Sequence, residues 1–67
     1  MIRRWIIEVV DGGQSAFICE HRGELYLTRR RAEATIYSTQ LEAKCALVYI
    51  TDRYQPRIIP VDESVPG

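Results

Sequence analysis

Apolar and polar positions alternate along the first half of the chain with the period of two that is typical of β-strands. Residues 2–10 (IRRWIIEVV) form the clearest such stretch, because β-branched and aromatic residues fill it. Residues 16–20 (AFICE) and 24–28 (ELYLT) repeat the pattern over shorter lengths. The segments DGGQS and HRG between them carry glycine, which favours tight turns. We therefore expect an antiparallel meander of three strands.

The segment from residue 29 to residue 51 allows two interpretations. One is a single helix, and the other is a short helical turn at Arg30–Ala34, then a break, then a main helix from about Gln40. The second is favoured because the residues between them, IYST, are poor helix formers. The tetrapeptide TQLE also fits a capping box, with Thr39 as N-cap and Glu42 at the third helical position.

The main helix carries apolar residues over much of its circumference. They form two stripes, one of Leu41, Cys45 and Val48 and the other of Ala43, Leu47 and Ile50. A helix with two apolar stripes is expected to pack on the sheet and on something else as well.

The C-terminal residues predict a last strand at the edge of the sheet. Pro56 is expected to end the helix, and Ile58, Ile59 and Val61 form the strand, in which Pro60 lacks an N–H donor. The fold class is therefore α+β: an antiparallel three- to four-stranded sheet with one main helix packed on one face, in the order β-β-β-α-β. We expect one small domain over residues 1–67, with an ordered core at about 2–62 and a frayed tail at 63–67.

Composition and charge narrow the function classes. With 46% hydrophobic and 27% charged residues the 67-residue chain is globular, and it is too short for a large active-site cleft. Nine basic and nine acidic residues give a net charge of zero, which argues against non-specific nucleic-acid binding and against a polybasic membrane anchor. The N-terminal apolar run is too short for a membrane span and lacks a cleavage signal. We expect a cytoplasmic protein with reduced thiols.

Few residues are candidates for catalysis, metal binding or phosphate binding. The single histidine, His21, falls in a predicted exposed turn, and with Cys19 and Cys45 it would supply three ligands where tetrahedral zinc needs four. The DGG loop lacks the G-x-x-x-x-G-K pattern of a phosphate loop and joins two strands. We expect no cofactor, no metal and no enzymatic activity.

Protein binding is the function class that the apolar pattern favours. The expected helix-facing residues of the sheet are Trp5, Ile7, Val9, Phe17, Leu25, Leu27, Ile59 and Val61. The opposite face would then show Ile6, Ile18, Tyr26 and Ile58, fringed by charged residues that include Arg4. Tyr49 and Tyr54 add side chains of the type enriched at interfaces.

The stretch TRRRAEA adds a cluster of three cations, Arg29, Arg30 and Arg31. If the main helix begins near Thr39, these arginines lie on a short turn, where a helix dipole is weak. Glu24 and Glu33 are close enough in sequence to neutralise part of the cluster. The cluster is therefore either a solvated surface or a contact for a partner.

The order of elements, with LYLTRRRAEATIYSTQLEAKCA at its centre, resembles a pattern of small phage and mobile-element proteins. Those proteins have a short meander, a T-x-x-x-x-A…[FY]-[ST]-T-x-x-x-A segment, a helix and a closing strand. The matching residues here are Thr28, Ala32 or Ala34, Tyr37, Ser38, Thr39 and Ala43. The resemblance implies a phage accessory protein that acts by binding, as do some small inhibitors of bacterial defence, including anti-CRISPR proteins. It assigns no functional residue.

The combined expectation is a non-enzymatic protein-binding module that inhibits a host protein or protein complex by steric occlusion. One alternative is a small nucleic-acid-binding or transcription-regulating protein that uses Arg29–Arg31. Another is a homodimeric structural or assembly protein, since small domains without net charge tend to associate.

Overall fold

The computed structural model describes residues 3–62, which form a four-stranded sheet. Its strands are β1 at Arg3–Asp11, β2 at Gln14–His21, β3 at Glu24–Thr28 and β4 at Arg57–Asp62. They lie in the order β3-β2-β1-β4, and every neighbouring pair is antiparallel. The predicted α+β class and the β-β-β-α-β order are confirmed. The expected frayed tail at 63–67 lies outside the described residues.

Two-residue turns connect the first three strands. In the second of them, between β2 and β3, both Arg22 and Gly23 have positive φ, at 53° and 81°. Positive φ at both central positions is the pattern of a type I′ turn, whose twist matches that of the strands. Gly12 and Gly13 repeat the pattern between β1 and β2. The short turns fix the strand register, with Asp11 opposite Gln14 and His21 opposite Glu24.

The connection from β3 to β4 contains one α-helix, α1, at Gln40–Leu47, flanked by 3₁₀ turns at Arg31–Glu33 and Asp52–Tyr54. The predicted break before the helix is confirmed. The expectation that the helix ends only at Pro56 is wrong. After Leu47 the chain tightens into 3₁₀-type bonds, from Tyr49 N–H to Ala46 O at 3.1 Å and from Ile50 N–H to Leu47 O at 3.0 Å.

The capping box predicted from TQLE is present. The Thr39 hydroxyl accepts a hydrogen bond from the Glu42 N–H at 3.1 Å. In return the Glu42 carboxylate accepts from the backbone N–H groups of Thr39 and Ser38, at 3.2 Å and 3.1 Å. This reciprocal pairing satisfies donors that a helix start otherwise leaves without a partner, and it sets where α1 begins.

The strands β1 and β2 separate at one end, and the chain passes through the gap between them. Their pairing covers only the four pairs from Glu8–Phe17 to Asp11–Gln14. Beyond it, the Thr35 N–H donates to the Ile18 carbonyl of β2 at 3.0 Å. Tyr37 exchanges two backbone hydrogen bonds with Trp5 of β1, at 2.8 Å and 3.0 Å. The segment 35–37 thus carries the chain from one face of the sheet to the other.

Both faces of the sheet consequently carry buried residues. The buried residues on the side of α1 are Ile7, Val9, Ala16, Ile18, Tyr37, Ala43 and Ala46, with the partly buried Trp5, Leu25, Leu47, Ile50, Tyr54 and Ile58 packed against them. On the opposite side, called the far face below, Ile6, Phe17 and Ala34 are buried, with Ile59 and Val61 against them.

The expectation of an open apolar face built from Ile6, Ile18 and Ile58 is wrong. Ile6 and Ile18 are only 2% and 3% exposed, and they lie on opposite faces of the sheet. The cause is the register, because the two-residue turn places Ala16 opposite Val9 and so turns Ile18, not Phe17, toward the helix. In β4 the register pairs Ile58 with Ile7, which places Ile58 in the core under α1.

Replacing Thr39 by alanine removes the N-cap, and we expect the free energy of unfolding to fall by about 1 kcal/mol. Urea unfolding monitored by circular dichroism measures it. Ser38→Ala is the matched control, because Ser38 contributes only its backbone N–H to the cap. Equal losses for both variants would contradict a specific capping function for Thr39.

Candidate functional site

Helix α1 packs on the sheet through Ala43, Ala46 and the partly buried Leu47, and it exposes Leu41 to solvent. Its buried residues are Ala43 and Ala46. On the outer side Leu41 is 70% exposed, and Val48 and Tyr49, which follow the helix directly, are each 80% exposed. Cys45 is exposed as a free thiol between them. These four residues, called the α1 ridge below, form an apolar surface that the fold does not bury.

A groove of about 680 Å³ lies beside the ridge, between α1 and the β2–β3 hairpin. It exists because α1 packs chiefly over β1 and β4, so the hairpin is left uncovered on that side. Its residues are of two kinds, apolar ones and carboxylates, and comprise Glu20, Gly23, Glu24, Leu25, Tyr37, Glu42, Cys45, Ala46 and Tyr49. The groove therefore combines an apolar lining with three negative charges.

Each of the three carboxylates holds a hydrogen bond within the fold. Glu42 caps α1, Glu24 accepts from the Tyr26 hydroxyl, and Glu20 accepts from the Tyr37 hydroxyl at 3.3 Å. Burial, and then the charge of Glu20, raise the pKa of Tyr37 to about 12. Tyr37 thus stays neutral in this groove at physiological pH and is not tuned for proton transfer there.

The apolar lining continues from the groove to β3. Tyr49 and Leu25 also line a second, smaller depression, which they share with Ile18, Tyr26, Leu27, Ile50, Thr51 and Tyr54. Leu27 and Tyr26 are 41% and 49% exposed. The α1 ridge, the groove and the β3 edge are therefore continuous.

The three arginines of TRRRAEA have different environments. Arg29 donates to the Asp11 carboxylate at 3.1 Å and to the carbonyls of Asp11 and Ser15 at 3.4 Å, which ties the end of β3 to the first hairpin. Arg30 pairs with Glu33 at 3.6 Å, and both side chains are largely exposed. Within residues 3–62 Arg31 has no ion pair, and it borders a depression lined by Ile6, Ala32, Ile36 and Val61.

The remaining residues predicted to bind a partner are divided by the fold. Tyr49 is exposed at the groove and Tyr26 is exposed on β3, whereas Tyr54 is half-buried in the core under α1, with the Arg53 guanidinium 6.0 Å from its ring. Arg4 is half-buried in β1. Leu41 and Val48 are not among the residues that the sequence predicts to bind a partner, although their stripe is one of the two apolar stripes of the helix.

The described part of the chain brings together no group of three or more His, Cys, Asp or Glu side chains that could hold a metal ion. His21 is exposed beside the Arg22–Gly23 turn. Cys19, which is half-buried, and Cys45 are both free thiols.

Among the described residues no helix has the length and apolar character that crossing a membrane requires.

The Tyr37 environment predicts a pH dependence of stability. The pKa of Tyr37 rises in the folded state from 10.0 to about 12. Its stabilising contribution is complete below pH of about 10 and is lost as the pH rises toward 12, because the unfolded chain ionises first. We expect Tyr37→Phe to unfold with a weaker pH dependence in this window, as measured by urea unfolding at a series of pH values. Tyr49→Phe, the control, should retain the wild-type dependence.

Replacing Arg29 should lower the stability of the fold more than replacing Arg31 does. Arg29→Ser removes the contacts with Asp11 and Ser15, which are partly exposed, and should lower the free energy of unfolding by less than about 1 kcal/mol. The loss should shrink at high salt. Arg31→Ser should leave the unfolding midpoint unchanged, and a larger loss for Arg31→Ser than for Arg29→Ser would contradict this assignment.

Comparison with known proteins gives no match: the chain matches no family model, no curated protein and no solved structure. The features of the molecule that bear on function are therefore its own surfaces: the α1 ridge, the acidic apolar groove beside it and the β3 edge.

Proposed function

We propose that this protein is a non-enzymatic protein-binding module whose contact surface is the α1 ridge with the adjoining groove. The observation that carries the proposal is that Leu41 of α1 and the Val48–Tyr49 pair directly after it are exposed, while Ala43 and Ala46 face the sheet. Exposing large apolar side chains costs free energy in water, and a contiguous apolar surface of this kind is typical of an interface.

The groove indicates the chemistry of the partner. Glu20, Glu24 and Glu42 surround an apolar lining that includes Leu25 and Tyr49. A partner segment that combines apolar and basic side chains would bury its apolar groups on the ridge and place its cations near the carboxylates. Acidic segments and phosphate groups would be repelled from the same groove.

The resemblance to small phage proteins extends the proposal to the class of target. A host protein, such as a component of a bacterial defence complex, would be inhibited by occlusion, because a bound 67-residue domain covers the surface on which it sits. Inhibition of this kind needs no catalytic group.

The nucleic-acid alternative has weaker support. Arg29, Arg30 and Arg57 already pair with Asp11, Glu33 and Glu8. Phosphate binding would have to displace these carboxylates, and it would depend steeply on salt. A groove with three carboxylates offers no site for a phosphate backbone.

The double variant Leu41→Gln/Val48→Gln tests the proposal. Affinity capture from host-cell extract with the wild-type protein identifies the partner, whose affinity for the purified variants is then measured by calorimetry. We expect at least a tenfold loss for the double variant, equivalent to about 1.4 kcal/mol, and a change in stability within about 0.5 kcal/mol.

Val10→Gln is the matched control, because Val10 is an exposed apolar residue on β1 away from the ridge. It should bind the partner as the wild type does. Undiminished binding by the double variant would overturn the proposal. Loss of binding in Arg31→Ser, together with steep salt dependence and a shift of random duplex DNA in a gel, would support the nucleic-acid alternative.

A further inference from the structure

The two edges of the sheet differ in their capacity to accept another strand. On β4 the exposed Pro60 has no N–H to donate, so this edge resists pairing. The opposite edge, β3, has the sequence ELYLT, without proline or lysine. Apart from β2, none of the described helices and strands packs extensively against it. The β3 edge is therefore open.

The hairpin geometry identifies which backbone groups of β3 point outward. The two-residue Arg22–Gly23 turn makes His21 and Glu24 a hydrogen-bonded pair. Bonding to β2 then alternates along the strand, which leaves the N–H and C=O groups of Leu25 and Leu27 directed away from the sheet. The backbone hydrogen bonds formed outside the sheet by residues 3–62 do not involve either leucine.

The sequence of β3 is symmetric about Tyr26, with a leucine on each side. We infer that the β3 edge pairs with β3 of a second copy of this chain, antiparallel and with the two-fold axis at Tyr26, to form a continuous eight-stranded sheet. In this register Leu25 of each copy exchanges two backbone hydrogen bonds with Leu27 of the other. Four intermolecular hydrogen bonds satisfy all four outward N–H groups and all four outward C=O groups of the two copies.

The side chains suit the same register. The leucines of both copies fall on the α1 side, where they extend the apolar lining between the two copies of Tyr49. On the far face the two Tyr26 residues stand directly opposite each other, with Cα atoms about 4.5 Å apart, a spacing at which aromatic rings pack. Both the backbone and the side chains are thus self-complementary.

The charges also favour a second copy over an unrelated strand. Glu24 begins β3, and Arg30, whose side chain is 81% exposed, follows its end. Antiparallel pairing places Glu24 of each copy opposite Thr28 of the other and next to the Arg30 that follows it, whose guanidinium has enough N–H donors to contact this Glu24 as well as its own Glu33. The chain has a net charge of zero, so two copies do not repel each other overall.

Two variants test the pairing by light scattering coupled to size exclusion, over a range from micromolar to millimolar protein. We expect the wild type to move from the monomer mass to twice that mass as the concentration rises. Leu27→Pro removes one outward N–H of each copy without breaking a bond to β2, and Tyr26→Lys places two like charges on the two-fold axis. Both should remain monomeric, with circular dichroism confirming that they fold.

Val48→Gln is the control, because Val48 lies on the α1 ridge and not on β3. It should dimerise like the wild type even where it weakens partner binding, so that a failure of this inference and a failure of the proposed function are distinguishable. A wild type that stays monomeric at millimolar concentration would overturn the inference. So would a dimer that Val48→Gln abolishes and Leu27→Pro leaves intact, since that dimer would form through the ridge.

Amide hydrogen exchange measured by NMR gives a second, residue-specific readout. The amides of Glu24, Tyr26 and Thr28 should be protected at every concentration, because they bond to β2. The amides of Leu25 and Leu27 should exchange rapidly in dilute solution and become protected as the dimer forms. If these two amides are protected only when a foreign protein is bound, the edge accepts a strand of that protein and the self-pairing is refuted.

Discussion

The passage of residues 35–37 through the gap between β1 and β2 is the constraint on which the rest of the structure depends. Thr35 donates to Ile18 on one side of the gap, and Tyr37 exchanges two hydrogen bonds with Trp5 on the other. These bonds supply partners for backbone groups that the separated strands would otherwise leave without one, and such groups are costly when buried. The connection can therefore cover the far face with Ala34 and then deliver α1 to the opposite side.

Because residues 35–37 cross the sheet, the strands and not the helix supply most of the buried side chains. The largest fully buried side chains are Ile6, Ile7 and Val9, all from β1. Since neighbouring residues of a strand point to opposite faces, β1 contributes to both cores at once. The helix adds the buried Ala43 and Ala46 and the partly buried Leu47, whereas Leu41 stays outside the interior.

The sequence predicted the elements better than their orientation, for physical reasons. Thr39 and Glu42 form a local capping box, and Pro60 lacks a donor whatever its surroundings, so α1 and the edge position of β4 were both predicted. The orientations of Phe17 and Ile18 depend on the register set by a two-residue turn, which a single strand's alternation does not reveal. The passage at Thr35–Tyr37 consists of bonds to distant residues and leaves no periodic pattern. Two apolar stripes were visible on the helix, but only packing decides which one faces solvent.

Because α1 packs on the sheet chiefly through alanines, different evolutionary constraints act on its inner and outer sides. Substitutions at Ala43 or Ala46 would alter the distance between helix and sheet, so these positions are constrained by folding. Leu41, Val48 and Tyr49 contribute little to the interior and can change at small cost in stability. The outer surface of α1 can therefore change together with a binding partner, while the fold beneath it stays the same.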